Sequence, residues 1–124
     1  MKILILEDDP TRHREFRQNL LNATEVRIVE TVPAAIFELK KQKWDTLFLD
    51  HDLGGESFVD SNKKPTGYDV AKWLEANPEY KPSNIIIHSL NFVGAARMKA
   101  ALPDAILAPW AWMNIKLEQN NGIE

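Results

Sequence analysis

The chain has 124 residues, of which 44% are hydrophobic and 27% charged, with a net charge of −3 and no cysteine. That length fits one domain with enough apolar material for a real core. The composition excludes a disulfide framework and suits a reducing compartment, and the net negative charge does not favour strong binding to duplex DNA.

Residues 2–6 form a continuous apolar run that stops at Glu7-Asp8-Asp9. The run is too short for a signal peptide, and nothing approaches the roughly 20 apolar residues of a membrane span. A cytoplasmic location without membrane contact is therefore expected. The run reads instead as a strand buried on both faces. Asp9-Pro10 marks a helix start, with Phe16, Leu20 and Leu21 as its apolar stripe. Val26 to Val29 reads as a second strand. Thr31 can cap a helix that has Pro33 in its first turn and carries Ile36, Phe37 and Leu39. Thr46 to Leu49 is a third strand and ends in Asp50-His51-Asp52.

A long polar loop, residues 53–66, leads to a helix opened by Gly67, with Val70, Ala71, Trp73 and Leu74 buried and Asn77-Pro78 as its end. Ile85 to Ile87 is a fourth strand ending in His88-Ser89, a helix is expected over Val93 to Ala101, and Ala105 to Leu107 is a fifth strand. The tail, with Trp112, Met113, Ile115 and Leu117, is a weak helix candidate. This alternation predicts a doubly wound α/β domain with a five-stranded parallel sheet, helices on both faces.

In open α/β sheets, ligands sit beyond the carboxyl ends of the strands. Three strands here end in ionisable residues: Glu7-Asp8-Asp9, Asp50-His51-Asp52 and His88-Ser89. Clustered carboxylates repel unless a cation intervenes, and oxygen donors suit a hard divalent ion. Asp8, Asp9 and Asp50 are the metal candidates, with Mg²⁺ or Mn²⁺ as the expected ion; Asp9 has helix capping as an alternative role. Arg12, Arg14 and Arg17 read as a solvated helix face. His13 reads as packed along its helix. Trp44 and Trp73 read as packing residues, and Lys63 and Lys64 as solubilising loop residues.

These strings resemble response-regulator receiver domains over nearly the whole chain. The resemblance implies a flavodoxin-like strand order, 2-1-3-4-5. It implies the Asp8-Asp9 pair as metal binders, Asp50 as the phosphoacceptor position, Ser89 at the family's Ser/Thr position, Gly67 opening the third helix and Pro109 from the Lys-Pro pair. Ala108 stands where that family carries a lysine, and a methyl cannot replace a fixed cation. Leu6-Glu7-Asp8-Asp9, Leu49-Asp50-His51-Asp52-Leu53-Gly54, Thr66-Gly67-Tyr68-Asp69-Val70-Ala71 and His88-Ser89-Leu90-Asn91 together are most similar to the cyclic-phosphate processing branch of receiver domains.

That resemblance implies action on a cyclic or terminal phosphate of a nucleotide or RNA end. Two histidines can serve as acid and base in opening a cyclic phosphodiester. His51 and His88 are the expected pair, with Asp52 orienting an imidazole. Ser89 and Asn91 are expected to hold phosphate oxygens, and Trp110 to stack a base. Three functions stand at this point: a metal-dependent phosphoesterase, a non-catalytic pseudo-receiver that binds a nucleotide or a protein partner, and a phosphoacceptor receiver at Asp50.

Overall fold

A computed structural model describes residues 1–53, 59–60, 62 and 64–109. Trp110, Lys63 and the tail helix candidate fall outside the described residues. Five strands, β1 (Lys2–Leu6), β2 (Glu25–Val29), β3 (Thr46–Leu49), β4 (Asn84–Ile87) and β5 (Ile106–Leu107), form one parallel sheet in the order β2-β1-β3-β4-β5. Four helices alternate with them: α1 (Pro10–Asn19), α2 (Val32–Lys41), α3 (Gly67–Ala76) and α4 (Phe92–Ala101). The expected topology is observed. No helix among the described residues is long and apolar enough to cross a membrane.

Strand side chains alternate between faces, so each apolar run splits into two sets. Leu4, Leu6, Leu47, Leu49, Ile85 and Ile87 pack with residues of α2, α3 and α4. Ile3, Ile5 and Phe48, joined by half-buried Ile86, pack on the opposite face against Phe16 of α1. Each helix is capped as its sequence dictates. Asp9 accepts from Thr11 N, Thr31 from Ala34 N and Asn91 from Gly94 N; Thr66 and Asp69 form a capping box.

Two expected core residues are instead exposed. Leu21 lies beyond the end of α1, which stops at Asn19, and Phe37 lies on the outer side of α2. Trp44 is buried, and its indole N–H donates to the Glu38 carbonyl. Trp73 is half-buried and stacks on Tyr80.

The strand register fixes what lies at the carboxyl edge. Leu6 pairs with Leu49, Leu49 with Ile87, and Ile87 with Leu107. The ladder continues one residue further: Asp50 N donates to Leu6 O, His88 N to Leu49 O, and Ala108 N to Ile87 O. Glu7, Asp50, His88 and Ala108 therefore form one row across β1, β3, β4 and β5, with the parity of the α1 face.

Gly67 lets α3 begin directly against this row. Its N–H donates to His51 O at 3.0 Å, and a Cβ placed there would overlap the Asp50 carbonyl group. That obstacle is backbone and cannot swing aside. Gly67→Ala should lower stability by about 3 kcal/mol, at the upper end of overpacking costs. Urea unfolding checks this, and an unshifted midpoint would show that α3 can retreat without penalty.

Candidate functional site

Glu7 is the centre of the row. Its carboxylate is fully buried, yet it accepts four hydrogen bonds. Asp8 N and Asp9 N donate to Oε2 at 3.0 and 3.1 Å, and His88 Nε2 and Arg12 Nη1 donate to Oε1 at 2.9 and 3.2 Å. Burial by itself would raise its pKa. The His88 hydrogen bond, the Asp9 N–H and the Arg12 charge outweigh burial and hold Glu7 down at about 2.

Asp50 lies beside it, almost wholly buried. Burial, then the adjacent Glu7 charge, push its pKa up to about 8, against a smaller opposing pull from Arg12 and the His51 N–H. Two neighbouring carboxylates thus sit far apart in acidity, as expected of like charges sharing a site.

His88 completes the row. It is fully buried, with its ring edge-on to Phe16 at 5.4 Å and to Phe48 at 6.3 Å. Burial lowers its pKa against the pull of Glu7. Its Nδ1 is buried without a hydrogen-bond partner. The arrangement assigns a neutral imidazole, with Nε2–H donating to Glu7 and a bare Nδ1 facing the apolar layer.

Glu7, Asp50 and His88 each present a ligand atom, and these three atoms lie within 4.8 Å of one another. With the ring proton moved from Nε2 to Nδ1, two carboxylate oxygens and the freed imidazole Nε2 could hold a divalent cation. Imidazole is more at home on Mn²⁺ than on the harder Mg²⁺. A dication there would offset both the burial and the Glu7 charge that raise the Asp50 pKa.

The geometric cluster that could hold an ion brings in Glu7, which the sequence reading did not single out. Glu7, the first residue past β1 with α1-face parity, belongs to the cluster; Asp8 and Asp9 stand outside it. Asp9 is the N-cap of α1 and lies 3.8 Å from Arg12 Nε. Period-two alternation with the strand end at Leu6 is the signal that selects Glu7. Arg12, expected on a solvated face, instead turns inward, with Nη1 3.8 Å from Asp50 Oδ2 as well as contacting Glu7. His13 is half-buried, its Nε2 2.6 Å from Glu7 O.

The two histidines are not neighbours. The register pairs Asp50 with His88 and so sets His51 beside Ser89, on the opposite parity. His51 is buried against α4, where a Cβ on Gly94 would strike its ring. Its Nδ1 is 2.9 Å from Asp52 Oδ1, and its Nε2 is buried without a partner. Asp52 Oδ1 also accepts from Val59 N and Asn91 Nδ2, both at 3.0 Å. These bonds assign Nδ1–H to the carboxylate and leave Nε2 as a bare acceptor.

Ser89 and Asn91 are engaged internally: Ser89 Oγ accepts from Asn91 N at 3.0 Å, and Asn91 Oδ1 from Gly94 N at 3.0 Å. A cavity of about 370 Å³ opens on this side, lined by His51, Asn91, Gly94, Asn62 and Arg97 among others. That volume falls within the range of small-molecule sites.

A parallel 2-1-3-4-5 sheet with an acidic row at its carboxyl edge defines a receiver-type domain. The chain matches the family model described as "Cyclic-phosphate processing Receiver domain" over residues 2–104, and it belongs to that family. Solved structures similar to it agree on the fold. The phosphorylated cyanobacterial phytochrome response regulator RcpA is 21% identical, with a TM-score of 0.74 and coverage of 99% of this chain and 90% of that one. The Mn²⁺-bound form of response regulator Rcp1 is 18% identical, with a TM-score of 0.70 and coverage of 96% and 91%. A CheY-like receiver domain from Methylobacillus flagellatus is 21% identical, with a TM-score of 0.65 and coverage of 94% and 95%. No curated protein sequence matches the chain.

Asp50 gives the site a measurable pH signature. Between its usual pKa of 3.8 and its folded value of about 8, the folded state holds a proton that the unfolded chain has released. That contribution to stability is present at low pH and is lost as pH rises through about 8. Glu7 has the opposite sign: its contribution is present above 4.5 and lost as pH falls toward about 2. His88, with its pKa lowered from 6.5, contributes above that value and loses its contribution on acidification. From about pH 7 to 9 the Asp50 effect therefore dominates. In chelator, the melting temperature should fall across that range, and Asp50→Asn should flatten the fall. Parallel slopes for the two proteins would contradict the assignment.

Proposed function

We propose that this domain hydrolyses a cyclic phosphodiester of a nucleotide or RNA end, with a divalent cation held by Glu7, Asp50 and His88. The supporting observation is the row itself: three ligand atoms converge within 4.8 Å at the carboxyl edge, in a family whose model carries a cyclic-phosphate description. A bound cation would neutralise charge building on the phosphate oxygens.

His51 is the base. With Nδ1–H committed to Asp52, its bare Nε2 can take the proton of an attacking water. A bond forms between that water's oxygen and phosphorus, one ring ester bond breaks, and the released oxygen takes a proton from solvent. His88 is a positioning residue here rather than the acid, since its Nε2 holds Glu7 at 2.9 Å. The cavity beside His51 has room for part of a nucleotide.

A pseudo-receiver that binds the same ligands without chemistry is favoured by one observation: both imidazoles are buried, at 1% and 0% exposure. Phosphoacceptor signalling is disfavoured by Ala108, a buried methyl at the end of the row.

Turnover of cyclic mononucleotides and of RNA with a 2′,3′-cyclic end, with Mg²⁺ or Mn²⁺, separates these readings. The wild type should hydrolyse at least one substrate, and His51→Ala should reduce the rate by a factor of about 10². His88→Ala should reduce it mainly through weaker cation binding, recovered in part at higher metal concentration. Unchanged turnover in His51→Ala removes the mechanism. Tight binding without turnover establishes the pseudo-receiver, and labelling of Asp50 by acetyl phosphate establishes the phosphoacceptor.

A further inference from the structure

Arg12 occupies the space that a cation would need. Its Nη1 lies 3.2 Å from Glu7 Oε1 and 3.8 Å from Asp50 Oδ2, so the guanidinium sits between the two carboxylates of the row. A divalent ion drawing one oxygen from each would have to lie between them, at about 2.0–2.1 Å from each for Mg²⁺. The two positive groups cannot share that position, because they would overlap and repel at short range.

The guanidinium also has a second partner at hand. Its Nε is 3.8 Å from Asp9 Oδ2, one turn back on the same helix, and the Asp9 side chain is 46% exposed at the protein surface. Arg12 itself is 19% exposed, so its route outward along Asp9 is not sealed. At the far end of the row, Ala108 supplies no charge.

We propose that Arg12 is a built-in competitor for the metal. It pairs with the Glu7 carboxylate and covers Asp50 in the metal-free protein, and it withdraws toward Asp9 when a divalent cation binds. The proposal rests on the reading of Glu7, Asp50 and His88 as a cation site. Two linked consequences follow. Arg12 stabilises the metal-free fold, and it weakens metal affinity by the free energy needed to displace it.

Calorimetric titration with Mn²⁺ alone, on metal-free wild type, Arg12→Gln and Arg12→Lys, tests this, together with thermal melts with and without Mn²⁺. Arg12→Gln should bind Mn²⁺ about tenfold more tightly than wild type, the scale of one charged hydrogen bond. Arg12→Lys, which keeps a charge but loses the fork, should fall between them. Without metal, Arg12→Gln should melt about 4 °C lower, and Mn²⁺ should raise its melting temperature more than that of wild type.

If wild type binds Mn²⁺ and Arg12→Gln binds it no more tightly, the competition is overturned while the cation site stands. If none of the three proteins binds Mn²⁺, the cation site itself is wrong and the competition goes with it. Should Arg12→Gln fail to fold, Arg12→Lys decides, and affinity no higher than wild type overturns the proposal.

Discussion

A carboxylate with no exposure to water survives in a fold only if the protein replaces its hydration shell, and at Glu7 four donors do so. They come from three places: the turn after β1, the first turns of α1 and the end of β4. One side chain therefore ties together the start of the helix on one face of the sheet and the edge of two strands. Removing a partner from such a group costs more than removing one from a solvated pair, because the charge left behind is less well satisfied, and the remaining donors limit the loss. The charge at Glu7 also sets the state of its neighbour. Asp50 retains its proton to about pH 8 partly because Glu7 does not. The acid–base character of the edge thus follows from how well one buried carboxylate is satisfied.

Around this anchor the sheet separates two chemistries by parity alone. Glu7, Asp50 and His88 continue the α1-face side chains Ile5, Phe48 and Ile86. His51 continues the opposite set, and its ring rests on the α4 backbone at Gly94. The carboxylate row and the His51–Asp52 dyad are one residue apart in sequence, yet they lie on different faces. Both depend on glycine where a helix approaches: Gly67 against the backbone of Asp50, Gly94 against the imidazole of His51. In both cases backbone packs where a side chain would collide.

The sequence made the architecture legible because each apolar run had the length and punctuation of a buried strand, and Asp9, Thr31 and Gly67 marked helix starts. It also revealed which residues would reach the carboxyl edge. It did not reveal how they would divide. A pairing of His51 with His88 treats two strand ends as adjacent points, whereas pairing of Leu49 with Ile87 places Asp50 opposite His88 and leaves His51 on the other parity. The same one-residue logic adds Glu7 to the residues that share the row with Asp50 and His88. That information was present in the spacing, but it needs the strand register, which depends on pairing between distant segments. Arg12 was harder to place. A basic residue in the first turn of a helix is ordinarily solvated, and here the buried Glu7 carboxylate draws it inward.

The placement of positive charge distinguishes this edge from a receiver that carries a lysine after its fifth strand. At Ala108 there is a buried methyl, and among the described residues Arg12 of α1 brings a guanidinium to within 3.8 Å of Asp50 on the other flank. A lysine on β5 would pull an acquired phosphoryl group toward β4 and β5 and so couple its arrival to that side of the domain. A guanidinium from α1 pulls instead toward β1. Charge arriving at Asp50 would therefore be felt first by the Glu7–Arg12–His88 network and by α1.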